Sequence, residues 1–198
     1  MNVTDIKGDI KVPETRAALW AEIFSKQRQL IDQYSGVEGM GNLLETTDTN
    51  LNTANGQKWI KDFAWRTTEE LAEAWEAIMD EDKEHIGDEF ADALHFLTEL
   101  TIIAGYDYTI IPEVNLVLHG SNPWFPIYHL GMTCNTLKNK PWKQHQLLTD
   151  EREFKKRLIE TWKSFILYAV QNLESEENLF IYYFKKHAIN EFRQRSNY

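Results

Sequence analysis

Apolar residues recur at helical spacing along most of the chain, and nowhere is the alternation of a strand sustained. The pattern predicts a first long helix over 14–34, with Trp20, Ile23, Phe24, Leu30 and Ile31 on one stripe. Residues 35–56 are rich in Gly, Asn and Thr and read as a long connection. A second helix starts near Gln57 with Trp59, Ile60, Phe63 and Ala64 and continues through Leu71, Trp75 and Ile78. A third carries Phe90, Leu94 and Leu97 to about Ile103, where Gly105 stops it. Pro112, Gly120, Pro123, Pro126 and Pro141 then punctuate short segments, among which Ile127, Leu130, Cys134 and Leu137 keep the spacing of one short helix. Two more helices follow, one over 150–173 and one from about Glu176. The expected fold is an all-α helical bundle, a single domain over 1–198 with 106–173 as an inserted small helical subdomain or lid.

The second and third helices carry paired carboxylates, Glu70-Leu-Ala-Glu73 and Glu89-Phe-Ala-Asp92. Residues at i and i+3 share a helical face. The solvated residues Asp80-Glu81-Asp82-Lys83 suit a helix–helix connection, and a hairpin turning there brings Glu73 level with Glu89 and Glu70 level with Asp92. Four carboxylates meeting between antiparallel helices repel one another and take up protons unless a cation neutralises them. All-oxygen sites suit hard divalent ions, and Mg²⁺ joins a few carboxylates to substrate phosphates. The bland alternative is a solvated acidic face, which a single ExxE favours and two level pairs do not.

The net charge of −10 argues against a duplex nucleic-acid binder. It does not exclude a nucleotide, since a bound metal reverses the local field. Cys134 is alone, there is no signal-peptide core in residues 1–12, and no run approaches a membrane span. The expectation is a cytoplasmic protein, in the host cytoplasm if it is phage-encoded. Gln27 lies inside the apolar stripe of the first helix, where a locally bonded amide is the ordinary reading, yet an amide can also read a base edge. Trp59 could serve the core or stack on a base or sugar, and Phe96 falls on the face of the acidic cluster. His95 reads as a satisfied structural histidine ahead of a ligand. Lys138, Lys140 and Lys143 form either a phosphate-facing lid or a solvated helix end. Near the C-terminus Lys186, Asn190 and Arg193 stack a point charge, an amide and a guanidinium on one face, groups that suit a polyphosphate.

The two carboxylate pairs resemble the signature of the all-α NTP pyrophosphatases, which include MazG-like enzymes. The terminal run Lys186-x-x-x-Asn190-x-x-Arg193-Gln194-x-x-x-Tyr198 narrows the resemblance to the dimeric dUTPases and the related phage dCTPase-dUTPases. Trp59, His95-Phe96 and Gln27 fit the same subfamily, whereas His187 and Asn197 stand where it usually has Asn and Gly. The resemblance implies a homodimeric bundle of the all-α NTP pyrophosphatase type, with two or three Mg²⁺ ions per site held by Glu70, Glu73, Glu89 and Asp92. It implies hydrolysis of a deoxypyrimidine triphosphate, dUTP ahead of dCTP, to the monophosphate and pyrophosphate by metal-activated water attack at the α-phosphate. Glu70 then doubles as general base. Gln27, Trp59, Phe96, Lys186, Asn190, Arg193 and Tyr198 hold the substrate. The competing readings are a MazG-like house-cleaning pyrophosphatase for purine or modified nucleotides, and a non-catalytic helical interaction protein.

Overall fold

The computed structural model describes residues 13–33, 40–114, 122–138 and 148–195, with side chains as far as Asn190. Its helices are α1 (Arg16–Gln33), α2 (Ala54–Met79), α3 (Lys83–Ile103), a 3₁₀ turn (Tyr108–Ile110), α4 (Trp124–Thr136), α5 (Glu151–Leu173) and α6 (Glu176–Arg195). No strand occurs among the described residues, as the missing alternation predicts.

Helix starts follow short polar side chains that take up the otherwise orphaned amides of the first turn. Thr53 accepts from the Gly56 amide, Asp82 from His85 and Asp150 from Glu153. Between α2 and α3 the chain reverses in three residues. The Asp82 amide reaches back to the Ala77 carbonyl at 3.0 Å, and Glu81 takes the left-handed conformation (φ 58°) usual at such a helix end. This tight turn makes α2 and α3 an antiparallel pair.

Residues 40–52, expected only as a connection, form successive turns that bury Met40, Leu43 and Leu51. The Asn50 amide fastens them by donating to the carbonyls of Leu43 (2.7 Å) and Ile103 (2.8 Å), the second an acceptor that the end of α3 leaves open.

One hydrophobic core runs through all six helices. α5 contributes Phe154, Leu158, Trp162, Phe165 and Ile166 to it, all fully buried. The Trp162 indole N–H donates to Thr101 Oγ1 on α3 at 3.0 Å, while its ring meets Trp20 of α1 edge-on. At the start of α6, Glu176 accepts from both Arg16 Nε (2.9 Å) and the Trp20 indole (3.2 Å), pinning α6 to α1.

A buried polar group completes the junction of α1, α3 and α6. Gln27 Nε2 donates to Glu99 Oε1 at 2.9 Å, and Gln27 Oε1 accepts from the Tyr183 hydroxyl at 3.0 Å. The Tyr183 ring stacks on His95 with centroids 4.5 Å apart. Burial pushes the Glu99 carboxyl up to about 8, against the lowering effect of its bond to Gln27. α6 is seated so closely on α3 that a Cβ at Gly87 would lie 2.2 Å from the Tyr182 ring.

Two outcomes follow from this packing. Gly87→Ala is expected to lose about 1–2 kcal/mol of stability in urea denaturation, because overpacking outweighs the gain of about 1 kcal/mol in helix propensity. Folding raises the Glu99 pKa from 4.5 to about 8, so the folded state holds a proton that the unfolded state releases. The stability gained from Glu99 is therefore complete below pH 4.5 and is lost as pH rises through about 8. Glu99→Gln removes this dependence, and its stability relative to the parent should improve steadily in melts taken from pH 5 to pH 8.5.

Candidate metal and phosphate site

The antiparallel pairing of α2 and α3 positions the carboxylates. Each pair sits at i and i+3 on its own helix, and the turn at 80–82 runs the two helices antiparallel, so that three of the four carboxylates meet. Glu70, Glu73 and Glu89 each offer an oxygen within 4.8 Å of those of the other two. They form a gradient of burial, with Glu89 buried, Glu70 half-buried and Glu73 exposed.

Burial first, then the neighbouring Glu89 carboxyl and the charges of Asp92, Glu89 and Glu73, push the Glu70 pKa up to about 8. A divalent cation would relieve the repulsion, and three converging carboxylates supply the hard oxygen donors it prefers. Three of the four carboxylates expected from the spacing of the pairs thus fit such an ion.

Asp92 lies outside that group of three and is held from α6, where Lys186 Nζ approaches its Oδ2 to 2.6 Å. Burial raises the Asp92 pKa overall, although Lys186 lowers it in part. The Lys186 ammonium is held above its ordinary value, since the bond and charge of Asp92, with Asp88 and Glu89, outweigh its desolvation. A cation on α6 thus sits at the edge of an anionic cluster on α2 and α3, where phosphates bridging a metal would meet it.

Trp59 and Phe96 are brought together through Phe63. Trp59 and Phe63 lie 6.0 Å apart and Phe63 stacks on Phe96 at 6.3 Å, all three forming one aromatic row. Asn190 follows Lys186 by one turn of α6 and is half-buried. Gln27 is placed differently from an open base-reading group: it is fully buried, and both ends of its amide are bonded within the core. Of Arg193 only the backbone, in α6, is described, and Tyr198 lies outside the described residues. Lys138 is exposed and its ammonium reaches the Asn135 carbonyl at 3.3 Å, while Lys140 and Lys143 lie outside the described residues.

His95 is buried, as a structural histidine should be, and burial drives its pKa down to about 3, so it is neutral. Its Nδ1 lies 2.7 Å from the Ala91 carbonyl, which can only accept, so the proton sits on Nδ1. Sequence reasoning passed over Glu99, Tyr183 and Asp88. Glu99 carried a signal, because it follows Asp92 by seven positions and so continues the same face of α3. Tyr183 and Asp88 carried none, since their roles depend on how α6 docks.

No helix of the described residues is long and apolar enough to cross a membrane. Nothing among curated proteins or solved structures matches the chain. A family model described as dUTPase does match, over residues 20–198. Since that match runs from the first helix to the last residue and the fold is all-helical, the chain belongs to the dUTPase family of the all-α NTP pyrophosphatases, hydrolases of nucleoside triphosphates.

Proposed function

We propose that the protein is a Mg²⁺-dependent diphosphatase of deoxypyrimidine triphosphates, with dUTP preferred and dCTP the second candidate, releasing the monophosphate and pyrophosphate. The observation that carries this reading is the meeting of Glu70, Glu73 and Glu89 within 4.8 Å of one another, with the Lys186–Asp92 pair three residues along α3 from Glu89. An acidic group whose charges repel when it lacks a cation, with a lysine near it, is suited to bind a metal together with an anionic phosphate chain.

Glu70, Glu73, Glu89 and Asp92 would hold the metal, two or three ions per site on the resemblance. When bound, the metal supplies charge neutralisation at the phosphates and activation of water. Each protein group then has a task. Glu70 would also receive, at a carboxylate oxygen, the proton lost by the attacking water, since one carboxylate of the group must take it. Lys186, with Asn190 and Arg193, orients the phosphates and offsets charge that develops on the leaving pyrophosphate. On the resemblance, Phe96 and Trp59 would flank the sugar and base, Gln27 would reach a base edge only by giving up a bond to Glu99 or Tyr183, and Tyr198, outside the described residues, is the remaining substrate group. The homodimer belongs to the same proposal. Trp65, Trp124, Phe125 and Tyr128 are large exposed apolar residues of α2 and α4, and such surfaces mark association; light scattering of the purified chain should give twice the monomer mass.

The deciding assay is pyrophosphate release with Mg²⁺ from each of the eight common ribo- and deoxyribonucleoside triphosphates. Turnover confined to dUTP, dCTP or both is expected; turnover of purine nucleotides would instead place the protein with the house-cleaning enzymes. Glu73→Gln is expected to cut Mg²⁺-dependent turnover by more than about 100-fold, beyond what loss of a supporting residue costs, with the far-ultraviolet circular dichroism unchanged. Mg²⁺ should also raise the melting temperature of the parent but not of this variant. Lys186→Met removes a charged hydrogen bond of about 1.5–3 kcal/mol and should lower kcat/KM roughly 10- to 150-fold.

A further inference from the structure

One side chain at the edge of the proposed metal group has no task in the proposed hydrolysis. His85 stands in the first turn of α3, one turn before Glu89, and its Nε2 lies 3.2 Å from Glu89 Oε1. It is not among the residues that carry the family resemblance. Nor do its nitrogens belong, among the described residues, to the set of donors that Glu70, Glu73 and Glu89 bring within 4.8 Å of one another. Whatever it does for that group, it does through Glu89.

Local geometry explains why the two meet. Side chains on a helix lean toward its N-terminus, so the Glu89 carboxylate is carried back over the preceding turn, where His85 stands. That turn is itself held, because the His85 amide donates to Oδ1 of the capping Asp82 at 3.2 Å. The ring is thus presented from a fixed stretch of backbone, directly after the reversal that brings α3 against α2.

The partners differ in burial, the Glu89 side chain being 7% exposed and that of His85 56%. A carboxylate withdrawn from water needs a donor in place of the water it has lost. Ionised Glu70 and Glu73 cannot serve, since they only accept, whereas an imidazole with its hydrogen on Nε2 donates. Each carboxylate oxygen has two acceptor positions, so Oε1 takes that hydrogen and keeps a position for a cation. A ligand held from behind in this way keeps one orientation, and less freedom is lost when an ion arrives.

We infer that His85 is a positioning residue for the metal: by donating from Nε2 to Glu89 Oε1 it holds the most buried carboxylate of the group in the orientation that meets the other two. The inference rests on the proposed metal site and extends it from the ligands to the group behind one of them.

The test is the Mg²⁺ dissociation constant of the nucleotide-free protein, read from the rise of its melting temperature with Mg²⁺ alone, in the parent, His85→Ala and His85→Gln. His85→Ala should weaken Mg²⁺ about tenfold, the lower end of what loss of such a supporting partner costs. Without metal it should melt as the parent does, because the ring lies at the surface. His85→Gln, whose amide can donate in place of Nε2, should bring the affinity back to within about threefold of the parent. An affinity in His85→Ala within about twofold of the parent's, or tighter than it, overturns the inference and leaves the carboxylate site standing. Equal weakening in both variants overturns it as well, since the hydrogen bond is then not the cause. A parent that Mg²⁺ does not stabilise removes the proposed metal site itself.

Discussion

Mutual repulsion of carboxylates at the α2–α3 face is the constraint on which the rest of the molecule depends. Glu70, Glu73, Glu89 and Asp92 are brought toward one another by an antiparallel helix pair, and their charge has two consequences. Burial and its neighbours' charges raise the Glu70 pKa, and a lysine from α6 is drawn onto Asp92. Hydrophobic packing elsewhere must hold two anionic faces together that would separate if left alone. It does so with Leu71, Ala74, Phe90, Ala93, Leu94 and Leu97, all buried next to the acidic positions on the same two helices. A site that is strained without a cation and relieved by one is suited to bind metal and phosphate together.

The position of α6 is the second condition. Its start is fastened by Glu176 to Arg16 and Trp20, and its middle is seated on Gly87, where Tyr182 occupies the volume of the missing side chain. Just beyond these points Tyr183 is aimed at Gln27 and Lys186 at Asp92. One helix therefore serves the phosphate end and the proposed base end of the site, three residues apart. A small shift of α6 would disturb both.

Much of this was legible beforehand because helical geometry is local. The spacing of Glu70 and Glu73, and of Glu89 and Asp92, places each pair on one face whatever the fold, and the polar run 80–83 predicts the reversal that sets them level. The stripes of α1 and α5 and the stop at Gly105, which takes a positive φ of 87°, are of the same kind. Residues 40–52 were less legible. They lack periodicity, yet Asn50 and three apolar side chains tie them into the core. Gln27 was ambiguous for a related reason, since an amide within an apolar stripe reads alike whether it faces a ligand or two buried partners.

The sequence by itself determined the helices, the two carboxylate pairs and the reversal between them, because each depends on contacts within a few residues of chain. Only the tertiary structure decided which carboxylates meet, which cation meets which anion and which buried polar groups bond to one another. Lys186 with Asp92, Gln27 with Glu99, and Tyr183 with both Gln27 and His95 are partners from helices distant in sequence. Their meeting depends on the angle and depth at which α1 and α6 dock on α3. That docking is decided by the fit of side chains such as Tyr182 against Gly87, a property of packed surfaces that no local pattern encodes.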